Sequence, residues 1–175
     1  KKCLTGFKWI AEIIRETEGK EKYIVGGEES YGYLIGDFVR DKDAITSAVL
    51  IAEVAAWAKA KGSSFYQELI QLYVQHGYYL ERLISITKKG KAGLEEIQKM
   101  IEGFRSNPPK RLGGSDITTI IDYKTAISKD LKTRKESSTN LPSSNFIQFI
   151  TADGDKITAR PSGTEPKIKF YFSVK

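Results

Sequence analysis

The densest concentration of chemistry-bearing residues is Arg160-Pro161-Ser162-Gly163-Thr164-Glu165-Pro166-Lys167, set between two runs that read as strands. Arg160 offers a planar fork of donors, Ser162 and Thr164 offer hydroxyls, Gly163 an unobstructed backbone N–H, and Lys167 a second positive charge. Those groups suit a phosphate, and Pro161 and Pro166 stiffen the loop that would hold it. By composition alone, a polar hairpin turn that happens to carry two cations is an equal reading. Other candidates carry less. His76, the only histidine, falls at the end of a helical pattern, where a cation complements the helix dipole, so it is not assigned a catalytic role. Cys3 has no second cysteine to pair with, and Asp153 and Asp155 flank Gly154 as turn residues without the further oxygens a calcium loop needs.

The string RPSGTEPKIK resembles the phosphate-binding loop in the last domain of the α-D-phosphohexomutases, the phosphoglucomutase/phosphomannomutase family. Gly27-Glu28-Glu29-Ser30-Tyr31-Gly32 resembles that family's sugar-recognition loop, and Thr5-Gly6-Phe7-Lys8 another substrate-contacting loop, in the family's order. The resemblance implies four domains around one cleft: one supplies a phosphoserine, one holds magnesium, the third reads the sugar and the fourth binds the substrate's phosphate. It places Glu28 and Ser30 on the hexose 3- and 4-hydroxyls, Arg160, Ser162, Gly163, Thr164 and Lys167 on the phosphate, and Lys8 near the reacting centre as an assisting group. Arg40 falls in a similar family stretch without a defined contact. Neither a Ser-His-Asn-Pro type serine loop nor an Asp-Gly-Asp metal loop occurs in the 175 residues. The implied whole is therefore a mutase that interconverts hexose 1- and 6-phosphates through a bisphosphate, with Mg2+ and the nucleophile supplied by N-terminal domains that this chain lacks. Tyr31-Gly32 stands where phosphomannomutases commonly have Gly-His, which leans towards the phosphoglucomutase or phosphopentomutase branch. A free-standing phosphosugar-binding or regulatory module without catalysis is the alternative, and a nucleic-acid module ranks third.

Two sets of elements must position these groups. Phe7, Ile10, Ile13 and Ile14 at helical spacing predict an amphipathic helix within residues 1–22, followed by a short strand at Tyr23-Ile24-Val25 that delivers Glu28 and Ser30 to a loop. Residues 41–61 predict a largely buried helix with Ile45, Val49, Ala52 and Ala56 along one face. Ser64 with Gln67 three residues on reads as a capping box opening another helix. The pattern then changes, which puts a boundary between 1–78, the C-terminal part of an α/β sugar-recognition domain, and 79–175, a small α+β domain. In the latter, strands around Leu83 to Ile86, Ile117 to Tyr123, Phe146 to Ile150, Lys156 to Ala159 and Ile168 to Val174 predict a mostly antiparallel sheet. A helix from Leu94 to Phe104 ends at Asn107-Pro108-Pro109, and residues 129–145, polar and serine-rich, read as an exposed loop. The sequence stops at Lys175 within or just after a strand, and the resemblance implies a closing helix of the fourth domain that this stretch is expected to lack.

With 40% hydrophobic residues the chain can fill ordinary cores, so it reads as globular. The formal charge of +6 is spread along the chain. Clusters such as Lys88-Lys89-Lys91 and Lys132-Arg134-Lys135 lack the interleaved aromatics of single-strand binders, so they read as solvated surface and no nucleic-acid partner is expected. The most apolar run, residues 44–60, is broken by Thr46, Ser47, Glu53 and Lys59, so no membrane span is expected either. A single cysteine and no signal-peptide pattern point to the cytoplasm.

Overall fold

The computed structural model describes residues 3–28, 31–163 and 165–175. The chain divides into two compact units, Lys1–His76 and Gly77–Lys175.

In the first unit, helix α1 (Phe7–Thr17) repeats apolar residues at the three-to-four spacing that gathers them on one face. Phe7 and Ile14 are buried there against Leu34, with Ile10 and Tyr23 at the margin. Leu34 belongs to β2 (Tyr33–Ile35), which pairs antiparallel with β1 (Val25–Gly27). The strand expected at 23–25 thus begins two residues later and runs through the glycines, and its partner was not foreseen. The Tyr23 hydroxyl donates to the Leu34 carbonyl at 3.2 Å, and burial pushes its pKa up.

Helix α2 (Ala44–Ala60) starts at Asp43, whose carboxylate accepts from the Ile45 N–H at 2.9 Å. That bond and the Thr46 hydroxyl hold the Asp43 carboxyl below its usual range. The Asp43 N–H donates to the Tyr33 carbonyl at 2.9 Å, fixing the cap against β2. The expectation of a largely buried helix is not met: Ser47 and Ala58 are buried, but Ile45 is 77% exposed, and Val49, Ile51 and Trp57 are exposed as well. Apolar residues run all round this helix, whereas its unit packs it against β2 and α3 alone among strong contacts, which leaves the other sides open. In α3 (Phe65–His76) the expected cap forms, the Gln67 N–H donating to Ser64 Oγ at 3.2 Å. No helix among the described residues is long and apolar enough to cross a membrane.

The second unit is an antiparallel sheet in the order β3 (Leu80–Thr87), β10 (Lys167–Val174), β9 (Lys156–Pro161), β8 (Ile147–Thr151), β5 (Ser115–Asp122), β6 (Ile127–Asp130), β7 (Glu136–Ser138). A short β4 (Arg111–Leu112) also pairs with β5. Helix α4 (Gly90–Ser106) lies on one face and places Ile97, Met100, Ile101 and Phe104 on the sheet. They meet Ile117, Ile147, Phe149, Ala159 and Ile168, and the Phe104 ring lies edge-on to Phe149 and Phe170 at 6.1 and 6.2 Å. Arg105 fastens the end of α4: its Nε lies 3.1 Å from Asp122 Oδ2 on β5, and Nη2 donates to Asn145 Oδ1 at 2.8 Å.

Part of the polar stretch read as a loop is instead a hairpin, since β6 and β7 add to the sheet beyond β5. Asp130 Oδ1 accepts from the N–H groups of Lys132 and Thr133, each at 2.8 Å, and Arg134 takes the left-handed conformation (φ 59°) that completes the turn. The stretch is polar because this hairpin lies at the sheet's edge and is exposed to solvent.

Candidate functional site: a phosphate loop and a carboxylate turn

The loop between β9 and β10 is built by the register of those strands. Lys169 stands opposite Arg160, so the two side chains share a face, and Lys167, two residues earlier on β10, shares it too. The face opposite carries Ala159 and Ile168, both buried in the core. The chain crosses between the strands through a turn tied by its own backbone: the Ser162 N–H donates to the Lys167 carbonyl and the Lys167 N–H to the Glu165 carbonyl, both at 2.7 Å. Ser162 Oγ accepts from the Glu165 N–H at 3.2 Å. From the β3 side, the Lys88 N–H donates to the Pro166 carbonyl at 2.8 Å.

The result is a pocket of about 320 Å³ lined by Arg160, Ser162, Gly163, Glu165, Lys167 and Lys169. Four of the five residues expected on the phosphate loop therefore line one cavity, and Thr164, the fifth, lies outside the described residues. Glu165 Oε2 is 3.7 Å from Lys167 Nζ. An entering anion would compete with that carboxylate for the lysine. Lys169 was missed by the reading of the sequence. The signal was present in the polar-apolar alternation Lys167-Ile168-Lys169-Phe170, which puts both lysines on one side of a strand.

In the first unit, Glu28 directly follows β1. Its N–H donates to the Gly32 carbonyl at 2.8 Å, and the Tyr31 N–H donates back to the Glu28 carbonyl at 3.1 Å. Ser30 lies outside the described residues. Gly32 matters for its lack of a side chain: a methyl group there would sit 2.9 Å from both Glu28 Oε2 and Lys42 Cδ. Both obstacles are ends of flexible side chains, so Gly32→Ala is expected to leave the fold intact while turning the Glu28 carboxylate away. If Glu28 holds a sugar hydroxyl, hexose-phosphate affinity measured by calorimetry should fall about tenfold, the loss of one charge-assisted hydrogen bond, with an unchanged circular dichroism spectrum.

Lys8 and Arg40, far apart in the chain, come together on the walls of another pocket of this unit, about 610 Å³, with Trp9, Glu12, Arg15 and Glu18. Lys8 Nζ lies 4.9 Å from the centre of the Trp9 ring. Arg40 Nη2 is 3.1 Å from Glu18 Oε1, so part of its charge is already matched. Among the described residues, no three His, Cys, Asp or Glu side chains gather as a metal site, so the magnesium implied by the family resemblance finds no fitting ligand set among them.

The first 73 residues match the family model described as phosphoglucomutase/phosphomannomutase, alpha/beta/alpha domain III. The whole chain aligns with the phosphoglucomutase of Staphylococcus aureus strain MSSA476 at 42% identity, and with that of strain MRSA252 at 41%. It spans 32%, about a third, of the length of those relatives. A crystal structure of pp63/parafusin, a phosphoglucomutase from Paramecium, in its open form, matches over 97% of this chain and 28% of its own, with a TM-score of 0.60 at 19% identity. That likeness concerns the fold. The domain III match over residues 1–73 and the alignment of the whole chain to about a third of each phosphoglucomutase together support a fragment of a phosphohexomutase.

Proposed function

We propose that the chain is the substrate-holding part of a phosphohexomutase that interconverts hexose 1-phosphate and hexose 6-phosphate in the cytoplasm. The first unit reads the sugar, with Glu28 and Ser30 on its hydroxyls and Lys8 and Arg40 beside the reacting end. The second unit holds a phosphate with Arg160, Ser162, Gly163, Thr164 and Lys167, to which Lys169 adds a third cation. A phosphoserine elsewhere in the longer protein gives its phosphoryl group to the free hydroxyl of the bound sugar phosphate. The bisphosphate so formed returns its other phosphoryl group to the serine. Magnesium supplies charge stabilisation for the transferring group when it is bound by those other parts.

The observation that carries this reading is the convergence of Arg160, Lys167 and Lys169 with Ser162 on a turn whose shape is fixed by backbone hydrogen bonds. Three cations on one rigid edge hold a dianion without the entropy cost of ordering a loose loop. Holding the non-reacting phosphate converts its binding energy into alignment of the reacting hydroxyl. The test is a coupled assay of glucose 1-phosphate conversion with magnesium and a trace of bisphosphate primer. The full-length protein should turn over, and the 175-residue chain alone should not. Turnover by the purified chain alone would assign the chemistry to its own residues and overturn the division of roles.

A further inference from the structure

Tyr31 combines two features that a folded protein normally avoids. Its backbone is left-handed, with φ 66°, a conformation that glycine adopts freely and a bulky L residue only with strain. Tyr31 is also 85% exposed, so little packing within its own unit offsets the strain. The other three left-handed residues that are not glycine, among those described, are Ala126, Arg134 and Asn140, none of them aromatic. Strain of this kind persists where the surrounding structure imposes it, and it concentrates at ligand sites. Here Tyr31 is tied back to Glu28, its N–H donating to the Glu28 carbonyl, while the Glu28 N–H donates to the Gly32 carbonyl.

A hexose offers a rim of hydroxyls and a face of C–H groups. A carboxylate can take the rim, and an exposed aromatic ring can take the face. We propose that Tyr31 is the stacking platform for the hexose ring, a substrate-contacting residue that works with Glu28. This rests on the reading of the Glu28 turn as the sugar site. A neutral ring has no comparable attraction for phosphate, so the contribution of Tyr31 is to the sugar part of the ligand alone.

The test compares Tyr31→Phe, Tyr31→Gly and Glu28→Gln in the full-length protein, with glucose 1-phosphate and inorganic phosphate as separate probes. Tyr31→Phe should bind both like the parent, because the ring and not the hydroxyl is used. Tyr31→Gly should bind glucose 1-phosphate about three- to tenfold more weakly, the range of one aromatic contact. Its affinity for inorganic phosphate should be unchanged, and its thermal midpoint level or higher, because the left-handed position now carries glycine. Undiminished glucose 1-phosphate binding by Tyr31→Gly overturns the proposal. So does loss of both ligands with a lowered midpoint, which would make Tyr31 a structural contact. Glu28→Gln separates the two levels: if it weakens sugar binding while Tyr31→Gly does not, Tyr31 alone is misassigned, and if neither matters the turn is not the sugar site.

Discussion

Replacing Arg160 by alanine in the full-length protein is expected to weaken phosphosugar binding by about ten- to a hundredfold, because a charge-assisted hydrogen bond contributes roughly 1.5–3 kcal/mol. Arg160→Lys should recover only part of the loss: an ammonium keeps the charge and loses the planar pair of donors. The remaining lysines, Lys167 and Lys169, share the face and keep some attraction for the anion, so binding should weaken and become more salt-sensitive without vanishing. Lys135→Ala serves as the comparison. It removes a cation from the exposed turn between β6 and β7, far along the sheet order from β9 and β10, and should do almost nothing. Calorimetry on all three at one salt concentration reads the differences, with circular dichroism to confirm folding.

Ile101→Ala should produce the largest loss of stability in the second unit, about 2–5 kcal/mol, because it removes a fully buried side chain and leaves a cavity between α4 and the sheet. Its neighbours Ile97, Phe149 and Ile168 are held by strands and a helix, and can close the gap only in part. Urea unfolding followed by far-ultraviolet dichroism measures the shift. The loop between β9 and β10 presents its cations on the face away from α4, so protein that remains folded should bind phosphate as before. A loss below about 1 kcal/mol would mean that the helix is not the lid of this core.

Much of the architecture was legible in the sequence wherever one period dominated. Ile97, Ile101 and Phe104 announced α4, and Pro108-Pro109 marked its end, because a helix packed on one sheet face needs one apolar stripe and a stop. Strands β8, β9 and β10 were visible for a similar reason: one face meets α4 and alternation follows. The hairpin of β6 and β7 was not visible. Its strands are exposed at the edge, and its turn is made by Arg134 where a glycine would have signalled the left-handed position. The degree of burial of α2 was misjudged because apolar composition reports what a helix can bury, not what its own unit supplies to cover it.

The site divides in the same way. Arg160, Ser162, Gly163 and Lys167 could be read together because a single turn supplies them. Lys169 was overlooked although strand alternation puts it beside Lys167. The meeting of Lys8 with Arg40 depends on tertiary structure, since α1 and the segment before α2 approach only once β2 is packed on both. The left-handed backbone of Tyr31 likewise leaves no trace in local residue preferences.

The most direct measurement is an amide chemical-shift titration of the isotope-labelled chain with glucose 6-phosphate. The expected result is that the largest shifts fall on Ser162, Gly163 and the Lys167 to Lys169 segment, while residues 129–136 stay unmoved. Saturable shifts centred on Lys129, Lys132 and Lys135, with the β9–β10 loop silent, would contradict the assignment and place the phosphate on the edge hairpin.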